Sequence, residues 1–137
     1  MSQERGGRGR RTLSEKYEAF SSEAARRLRA HALGTATVNG YTTPEQAQRV
    51  ADALAMTAAQ RLLDLGGGRG WPGSYVARRS GCRLVVCDLP AEALYEARIT
   101  LDDEALADRS ALVRADGRAL PFSEGSFDGV THADVLC

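Results

Sequence analysis

The sequence has few cysteines, prolines and aromatic residues, and it has no long apolar run. It contains 3 Cys and 4 Pro in 137 residues, and aromatic residues make up 6%. Cys82 and Cys87 lie at an odd spacing in a predicted strand, so they point to opposite faces and do not suit a disulfide or a zinc cluster. No segment approaches the run of about 18 apolar residues that a membrane-spanning helix needs. The basic start of the chain lacks the apolar core of a secretory signal, so we expect a cytoplasmic protein with no metal and no membrane contact.

The rest of the composition is typical of a globular chain, with one local excess of charge. Hydrophobic residues make up 43%, glycine occurs 14 times, and 18 basic residues balance 18 acidic ones. Basic residues cluster at Arg5, Arg8, Arg10 and Arg11, which predicts a flexible arginine- and glycine-rich tail over residues 1–11. Such tails can bind nucleic acid through charge and stacking. The favoured interpretation is a solvated terminus, so nucleic acid is not an expected partner.

Two helices are predicted between the tail and the first strand, in an N-terminal segment over residues 12–58. Each begins with a capping box, in which a hydroxyl and a side chain three residues later bond to each other's backbone amides. Thr12 pairs with Glu15 in the first helix, and Thr43 pairs with Gln46 in the second. Apolar residues then recur at steps of three and four, so each helix has one face for packing on a core.

From residue 59 the pattern alternates between short apolar strands and helices. This order predicts an α/β fold with a doubly wound parallel sheet, because parallel neighbours need a crossover connection between them. The second strand is apolar on both faces, as expected for a sheet that is covered on both sides. The predicted strands are 61–65, 83–88, 111–115 and 127–131, and the predicted helices between them are 72–79 and 90–108.

Polar and glycine residues follow three successive strands of this sheet. The segment LLDLGGGRG, residues 62–70, places glycines between the first strand and a helix, where the backbone can approach a ligand closely. Asp88 ends the second strand, 22 residues beyond Gly66, where a carboxylate can accept hydrogen bonds from the ribose hydroxyls of a nucleoside. Asp116 and Gly117 follow the third strand, where a carboxylate could face the exocyclic amine of an adenine. The sequence therefore predicts a nucleoside site at the strand ends.

Two cofactor classes compete for this site. Residues 68–73, GRGWPG, also fit the G-x-G-x-x-G pattern of proteins that bind a dinucleotide such as NAD. That pattern starts three residues after the strand instead of at its end, and Pro72 removes an amide near the expected pyrophosphate. The alternative pattern, Gly-x-Gly-x-Gly over residues 66–70, begins directly at the end of the strand.

The segments LLDLGGGRG, ADGRALPF and GSFDGV, together with Asp88, resemble the class I S-adenosylmethionine-dependent methyltransferases over about residues 40–137. The connection LPF-x-x-G-SFD is most similar to the group that includes ubiquinone-biosynthesis and small-molecule methyltransferases. The resemblance implies a Rossmann-like fold, S-adenosylmethionine as the cofactor, and methyl transfer to a small-molecule acceptor. Asp64 and the glycine amides would hold the methionine part, Asp88 the ribose, Leu89 the adenine face, and Asp116 with Gly117 the adenine edge. The implied cofactor-binding residues are Asp64, Gly66, Gly67, Gly68, Gly70, Asp88, Leu89, Asp116, Gly117 and His132.

No catalytic residue is assigned from the sequence. His132 follows the fourth strand and is interpreted as a wall residue that contacts cofactor or acceptor, with a general base as the alternative; Cys137 is interpreted as a packing residue. The resembled family has a seven-stranded sheet whose first four strands are ordered 3-2-1-4. We therefore expect residues 59–137 to be the N-terminal half of that domain, in a fragment or a split enzyme whose sheet is completed by further chain or a partner chain. A non-catalytic S-adenosylmethionine- or nucleotide-binding module is the first alternative function, and an NAD-dependent oxidoreductase is the second.

Overall fold

The computed structural model describes most of the chain from Thr42 onward. Thr12 and Glu15 form the predicted capping box, since the Thr12 amide donates to Oε2 of Glu15 at 2.6 Å and the Glu15 amide donates to Oγ1 of Thr12 at 3.3 Å. The predicted tail, most of the first predicted helix and Cys137 lie outside the described residues. The described residues are 12, 15, 22–25, 27–28 and 42–133.

Within residues 42–133 the chain alternates between strands and helices as predicted. The four strands form one parallel sheet in the order β3-β2-β1-β4, which confirms the α/β, Rossmann-like fold class. None of the helices in this part of the chain has the length and apolar character that crossing a bilayer requires. The elements are α1 (Pro44–Leu54), β1 (Arg61–Leu65), α2 (Gly73–Ser80), β2 (Arg83–Asp88), α3 (Ala91–Asp103), a 3-10 turn (Ala107–Arg109), β3 (Ser110–Arg114) and β4 (Gly129–Thr131).

The two faces of the sheet are covered by different parts of the chain. The three helices pack on one face, in a core that contains Leu62, Val86 and Cys82. The other face carries Leu63, Val85 and Cys87, and the connection after β3 covers it with Phe122 and Phe127. Cys82 and Cys87 thus lie on opposite faces as free thiols, as their spacing predicts. The chain changes face between β3 and β4, which makes β1 the strand at which the order reverses.

Strand register brings the predicted site residues to one edge of the sheet. Leu65 lies opposite Cys87 in the pairing of β1 with β2, and Asp88 lies opposite Arg114 in the pairing of β2 with β3. The carboxyl ends of β1, β2 and β3 therefore meet beside the point where the strand order reverses. Open α/β sheets bind ligands in the crevice at such a point.

Two predicted element boundaries are wrong by more than one residue. The helix predicted at 90–108 ends at Asp103, because Ala105 adopts a left-handed conformation with φ 55° and the next residue, Leu106, returns to the core. The strand predicted at 127–131 begins at Gly129 instead. The Asp128 carboxylate accepts a hydrogen bond from the Arg61 amide at 2.8 Å. The guanidinium of Arg61 lies 5.4 Å from the centre of the Phe127 ring. Side-chain contacts therefore hold the start of this segment before the ladder begins.

Candidate functional site

A cavity of about 410 Å³ lies at the carboxyl ends of β1, β2 and β3. Its size falls within the range of about 300–1,000 Å³ that is common for small-molecule sites. Four of the lining residues were not expected from the sequence: Leu65, Cys87, Ala115 and Arg118. Six are predicted site residues, which the fold brings together from three strand ends and from the end of β4: Gly66, Asp88, Leu89, Asp116, Gly117 and His132.

Asp88 connects the end of β2 to the glycines that follow β1. Its Oδ2 accepts a hydrogen bond from the Gly68 amide at 2.8 Å, and its Oδ1 accepts one from the Leu89 amide at 2.7 Å. Because an ionised carboxylate has about four acceptor positions, these bonds are compatible with further bonds to ligand hydroxyls. Leu89 beside it is 50% exposed, so an apolar surface stands open at the cavity.

Asp116 does not face the cavity as an open acceptor, because Arg118 binds it through two nitrogens. The Nη2 of Arg118 lies 2.6 Å from Oδ2, and its Nε lies 3.0 Å from Oδ1. Hydrogen bonds from the Arg118 side chain and backbone hold the pKa of Asp116 down, at about 2. The sequence analysis missed this role of Arg118, although the Asp-x-Arg spacing within a turn was available as a signal.

The glycine loop, defined as residues 66–70, is held by its own hydrogen bonds. Gly66, Gly68 and Gly70 have φ angles of 65°, 53° and 90°, in the left-handed region that favours glycine. The Gly66 amide donates to the Cys87 carbonyl at 2.7 Å, and the Gly70 amide donates to the Gly67 carbonyl at 2.7 Å. With the Gly68 amide on Asp88, all three amides that were expected to hold a methionine arm donate to this chain instead. Gly67, Gly68 and Gly70 do not line the cavity; only Gly66 of the predicted glycines in the loop does.

Asp64 lies beneath the glycine loop and not in the cavity. It is 0% exposed, its Oδ2 accepts from the Gly73 amide at 3.1 Å, and its Oδ1 accepts from Oγ1 of Thr131 at 2.8 Å. Burial raises its pKa to about 6, against the opposing effect of these two hydrogen bonds. Asp64 therefore does not line the cavity, and its carboxylate supports the loop from inside the fold.

Gly67 and Gly73 make room for this buried carboxylate. A Cβ atom at either position would lie 2.6 Å from Oδ2 of Asp64, closer than real Cβ atoms approach. Gly73 and Thr131 are functional partners that the sequence analysis missed. A glycine at a helix start and a polar residue in an apolar strand were visible, but their common partner depends on the pairing of β1 with β4.

His132 forms the side of the cavity near β1. Its Nδ1 lies 3.4 Å from the Leu65 carbonyl oxygen, and its ring is exposed. His132 thus lines the cavity, and its contact with cofactor or acceptor stays a prediction. No residue in the described part of the cavity is placed as a general base by a contact.

Comparisons with known proteins give the same family as the motif segments. Residues 62–137 match the family model described as a methyltransferase domain. The ubiquinone/menaquinone biosynthesis C-methyltransferase UbiE of Paracoccus denitrificans is 41% identical over 81 residues, which cover 58% of this chain and 32% of that protein. The chain thus spans about a third of the length of this curated relative.

Solved structures with the same fold include methyltransferases that were crystallised with S-adenosylhomocysteine. A SAM-dependent methyltransferase from Thiobacillus denitrificans, in complex with S-adenosylhomocysteine, has a TM-score of 0.54 at 24% identity, covering 66% of this chain and 36% of that chain. Geranyl diphosphate C-methyltransferase from Streptomyces coelicolor A3(2) has a TM-score of 0.59 at 22% identity, covering 64% of this chain and 32% of that chain. These likenesses establish the fold, and the family model covers more than half of the chain. The chain therefore belongs to the methyltransferase-domain family, which confirms the class I resemblance of its glycine segment.

Proposed function

We propose that this chain binds S-adenosylmethionine in the strand-end cavity, as the cofactor domain of an enzyme that transfers a methyl group to a small-molecule acceptor. The observation that carries the proposal is the convergence of Asp88, Leu89 and Asp116, from two successive strand ends, on one cavity beside the glycine loop. Family membership supports the same cofactor. The acceptor is proposed as a small molecule because the matched proteins include a ubiquinone/menaquinone biosynthesis C-methyltransferase and a geranyl diphosphate C-methyltransferase.

The residues present fit the adenosine part of this cofactor. The Asp88 carboxylate would accept hydrogen bonds from the ribose hydroxyls, and the exposed side chain of Leu89 would pack on the adenine ring. Gly117 would border the adenine edge, with the Asp116 carboxylate held by Arg118 beside it, while Gly66 and His132 would border the methionine arm. When bound, the cofactor supplies a sulfonium methyl group, which is an electrophile. The contribution of the protein would be orientation of the reactants, which is worth up to about 7–11 kcal/mol of barrier in well-positioned systems.

The buried carboxylate of Asp64 argues against a dinucleotide in the same place. Dinucleotide folds bind the pyrophosphate at the helix N-terminus that follows the glycines. Here the amide of Gly73, the first residue of α2, donates to Asp64. The carboxylate of Asp64 therefore already occupies the amide that a pyrophosphate would bind at that helix end. This observation favours S-adenosylmethionine over NAD.

Calorimetry with three ligands tests the proposal. We expect the chain to bind S-adenosylmethionine and S-adenosylhomocysteine and not NAD. Binding of NAD alone would overturn the choice of cofactor, and binding of neither cofactor class would overturn the site. Binding of S-adenosylmethionine without methyl transfer to any quinone or prenyl acceptor would favour the non-catalytic module.

The Asp88→Asn variant tests the ribose contact within that proposal. Asparagine keeps the size of the side chain but replaces one acceptor oxygen by a donor and removes the charge. We expect the affinity for S-adenosylhomocysteine to fall by about tenfold or more, because hydrogen bonds to charged groups contribute about 1.5–3 kcal/mol. Asp103→Asn, an exposed substitution at the end of α3, is the matched control and should leave the affinity unchanged. Equal affinities of the Asp88 variant and the unmodified chain would place the ribose elsewhere.

A further inference from the structure

The glycine loop carries one large side chain, and that side chain is turned away from the cavity. Arg69 lies between Gly68 and Gly70, and its residue is 6% exposed. Its Nη2 meets Oε2 of Glu96 on α3 at 2.9 Å, with side-chain exposures of 8% for the arginine and 17% for the glutamate. The contact is an ion pair of two nearly buried groups, unlike the other ion pair on α3, in which Arg98 and Asp102 are exposed.

This pair connects the loop to the unit formed by β2 and α3. Asp88 ends β2 and accepts a hydrogen bond from the Gly68 amide, whereas Glu96 lies in the second turn of α3, so two consecutive loop residues are held by two neighbouring elements. Gly70 also lies close to this helix, since a Cβ atom there would be 4.0 Å from the Cβ of Ala97. The loop is therefore held against β2 and α3 at two consecutive positions, Gly68 and Arg69, and it also passes close to α3 at Gly70.

A loop with three glycines in the left-handed region has a large conformational freedom to lose when it orders. Contacts that order such a loop before a ligand arrives lower the entropic cost of binding. A buried ion pair is also weak evidence for stability, because apolar replacements of similar volume are often neutral or stabilising.

We infer that Arg69 and Glu96 are positioning residues, which hold the glycine loop at the distance from Asp88 that a ligand spanning both requires. The inference rests on the proposed cofactor site. A ligand that contacts only the β2 and β3 ends, such as adenosine, does not depend on the loop. A ligand with a further arm, such as S-adenosylhomocysteine, does.

The double variant Arg69→Met/Glu96→Leu separates positioning from stability. Both replacements are apolar and of similar length, so no unpaired buried charge remains and urea unfolding should give a stability close to that of the unmodified chain. We expect the dissociation constant for S-adenosylhomocysteine to rise by about tenfold, and that for adenosine to change by less than about threefold. Glu96→Gln should change both constants in the same direction by a smaller factor, and Asp102→Asn, which breaks the exposed pair on α3, should change neither.

Amide hydrogen exchange in the ligand-free chain tests the inference independently of the cofactor. We expect exchange at Gly68 and Gly70 to become about tenfold faster in the double variant while exchange within β1 and β2 stays unchanged. Unchanged exchange in the loop would overturn the inference, as would equal losses of affinity for both ligands. If the unmodified chain binds neither ligand, the proposed function fails and the exchange rates alone decide whether the pair holds the loop.

Discussion

Asp64 is a buried carboxylate that three elements share. It lies on β1, accepts a hydrogen bond from Thr131 on β4 and another from the first amide of α2. Two glycines, Gly67 and Gly73, leave the space that it occupies. Because a buried charge is costly unless it is hydrogen-bonded, each of these neighbours limits what the others can be replaced by.

The titration of Asp64 predicts that the chain becomes less stable as the pH rises. Burial raises the pKa of Asp64 from its ordinary value of 3.8 to about 6, so between these pH values the folded state holds a proton that the unfolded state releases. Its stabilisation is complete below about pH 4 and is lost as the pH passes about 6. Relative to Asp64→Asn, which does not titrate, we expect the free energy of unfolding to fall by about 2–3 kcal/mol between about pH 4 and pH 7.

Urea unfolding of both chains over this pH range measures the difference. The groups that titrate elsewhere contribute equally to both chains and cancel. A difference that is independent of pH would show that Asp64 ionises normally within the fold.

Gly73→Ala is expected to destabilise the fold although it improves helix propensity. The new methyl group would lie 2.6 Å from Oδ2 and 2.7 Å from Cβ of Asp64, so the buried carboxylate must move. Overpacking of this kind typically costs about 1–3 kcal/mol. Gly117→Ala is the control for thermal or urea unfolding, since its new methyl group would meet only Leu65, at 3.9 Å. Equal stabilities of the two variants would contradict the steric role of Gly73.

Among the elements, α1 is attached to the site through the residue that follows the glycine loop. The indole Nε1 of Trp71 donates to the Thr42 carbonyl at 3.0 Å, and the ring lies edge-on to that of Tyr75 with centroids 5.7 Å apart. Trp71 and Ala47 are buried together. The start of α1 is thereby fixed relative to the loop from which the cavity is built.

Thr43→Ala is expected to weaken the start of α1. The Thr43 hydroxyl accepts from the Gln46 amide at 3.2 Å, and the Gln46 side chain accepts from the Thr43 amide at 2.8 Å. Loss of an N-cap typically costs about 1 kcal/mol, so urea unfolding should show a decrease of that size. Gln48→Ala, exposed on the same helix, should change the stability by less than about 0.5 kcal/mol. A Thr43 variant as stable as this control would mean that the cap contributes nothing to α1.

Element boundaries were predictable where local pattern alone sets them. β1 and β2 begin and end as predicted, because each is an apolar run ended by glycine or by a turn. β3 is shifted by one residue, from 111–115 to Ser110–Arg114. The C-terminal end of α3 depends on Leu106 returning to the core, and the start of β4 depends on Asp128 binding Arg61. Both are tertiary contacts that no local pattern contains.

At the scale of the whole molecule, the sequence predicted where the site lies better than how its residues are arranged. The strand-end positions of Asp88 and Asp116 follow from the alternation of strands and helices, and the sheet order brings them together. Asp64 turned inward and Arg118 on Asp116 could not be predicted in this way. Asp64 binds Thr131, which is 67 residues away, and the pair of Arg69 with Glu96 joins a loop to a later helix.

A crystal structure of the chain with S-adenosylhomocysteine tests the central claim most directly. We predict that both ribose hydroxyls lie within hydrogen-bonding distance of the Asp88 carboxylate, with the adenine ring against Leu89. The methionine arm should lie beside Gly66. A complex in which the ribose lies away from residue 88 would contradict the proposed site.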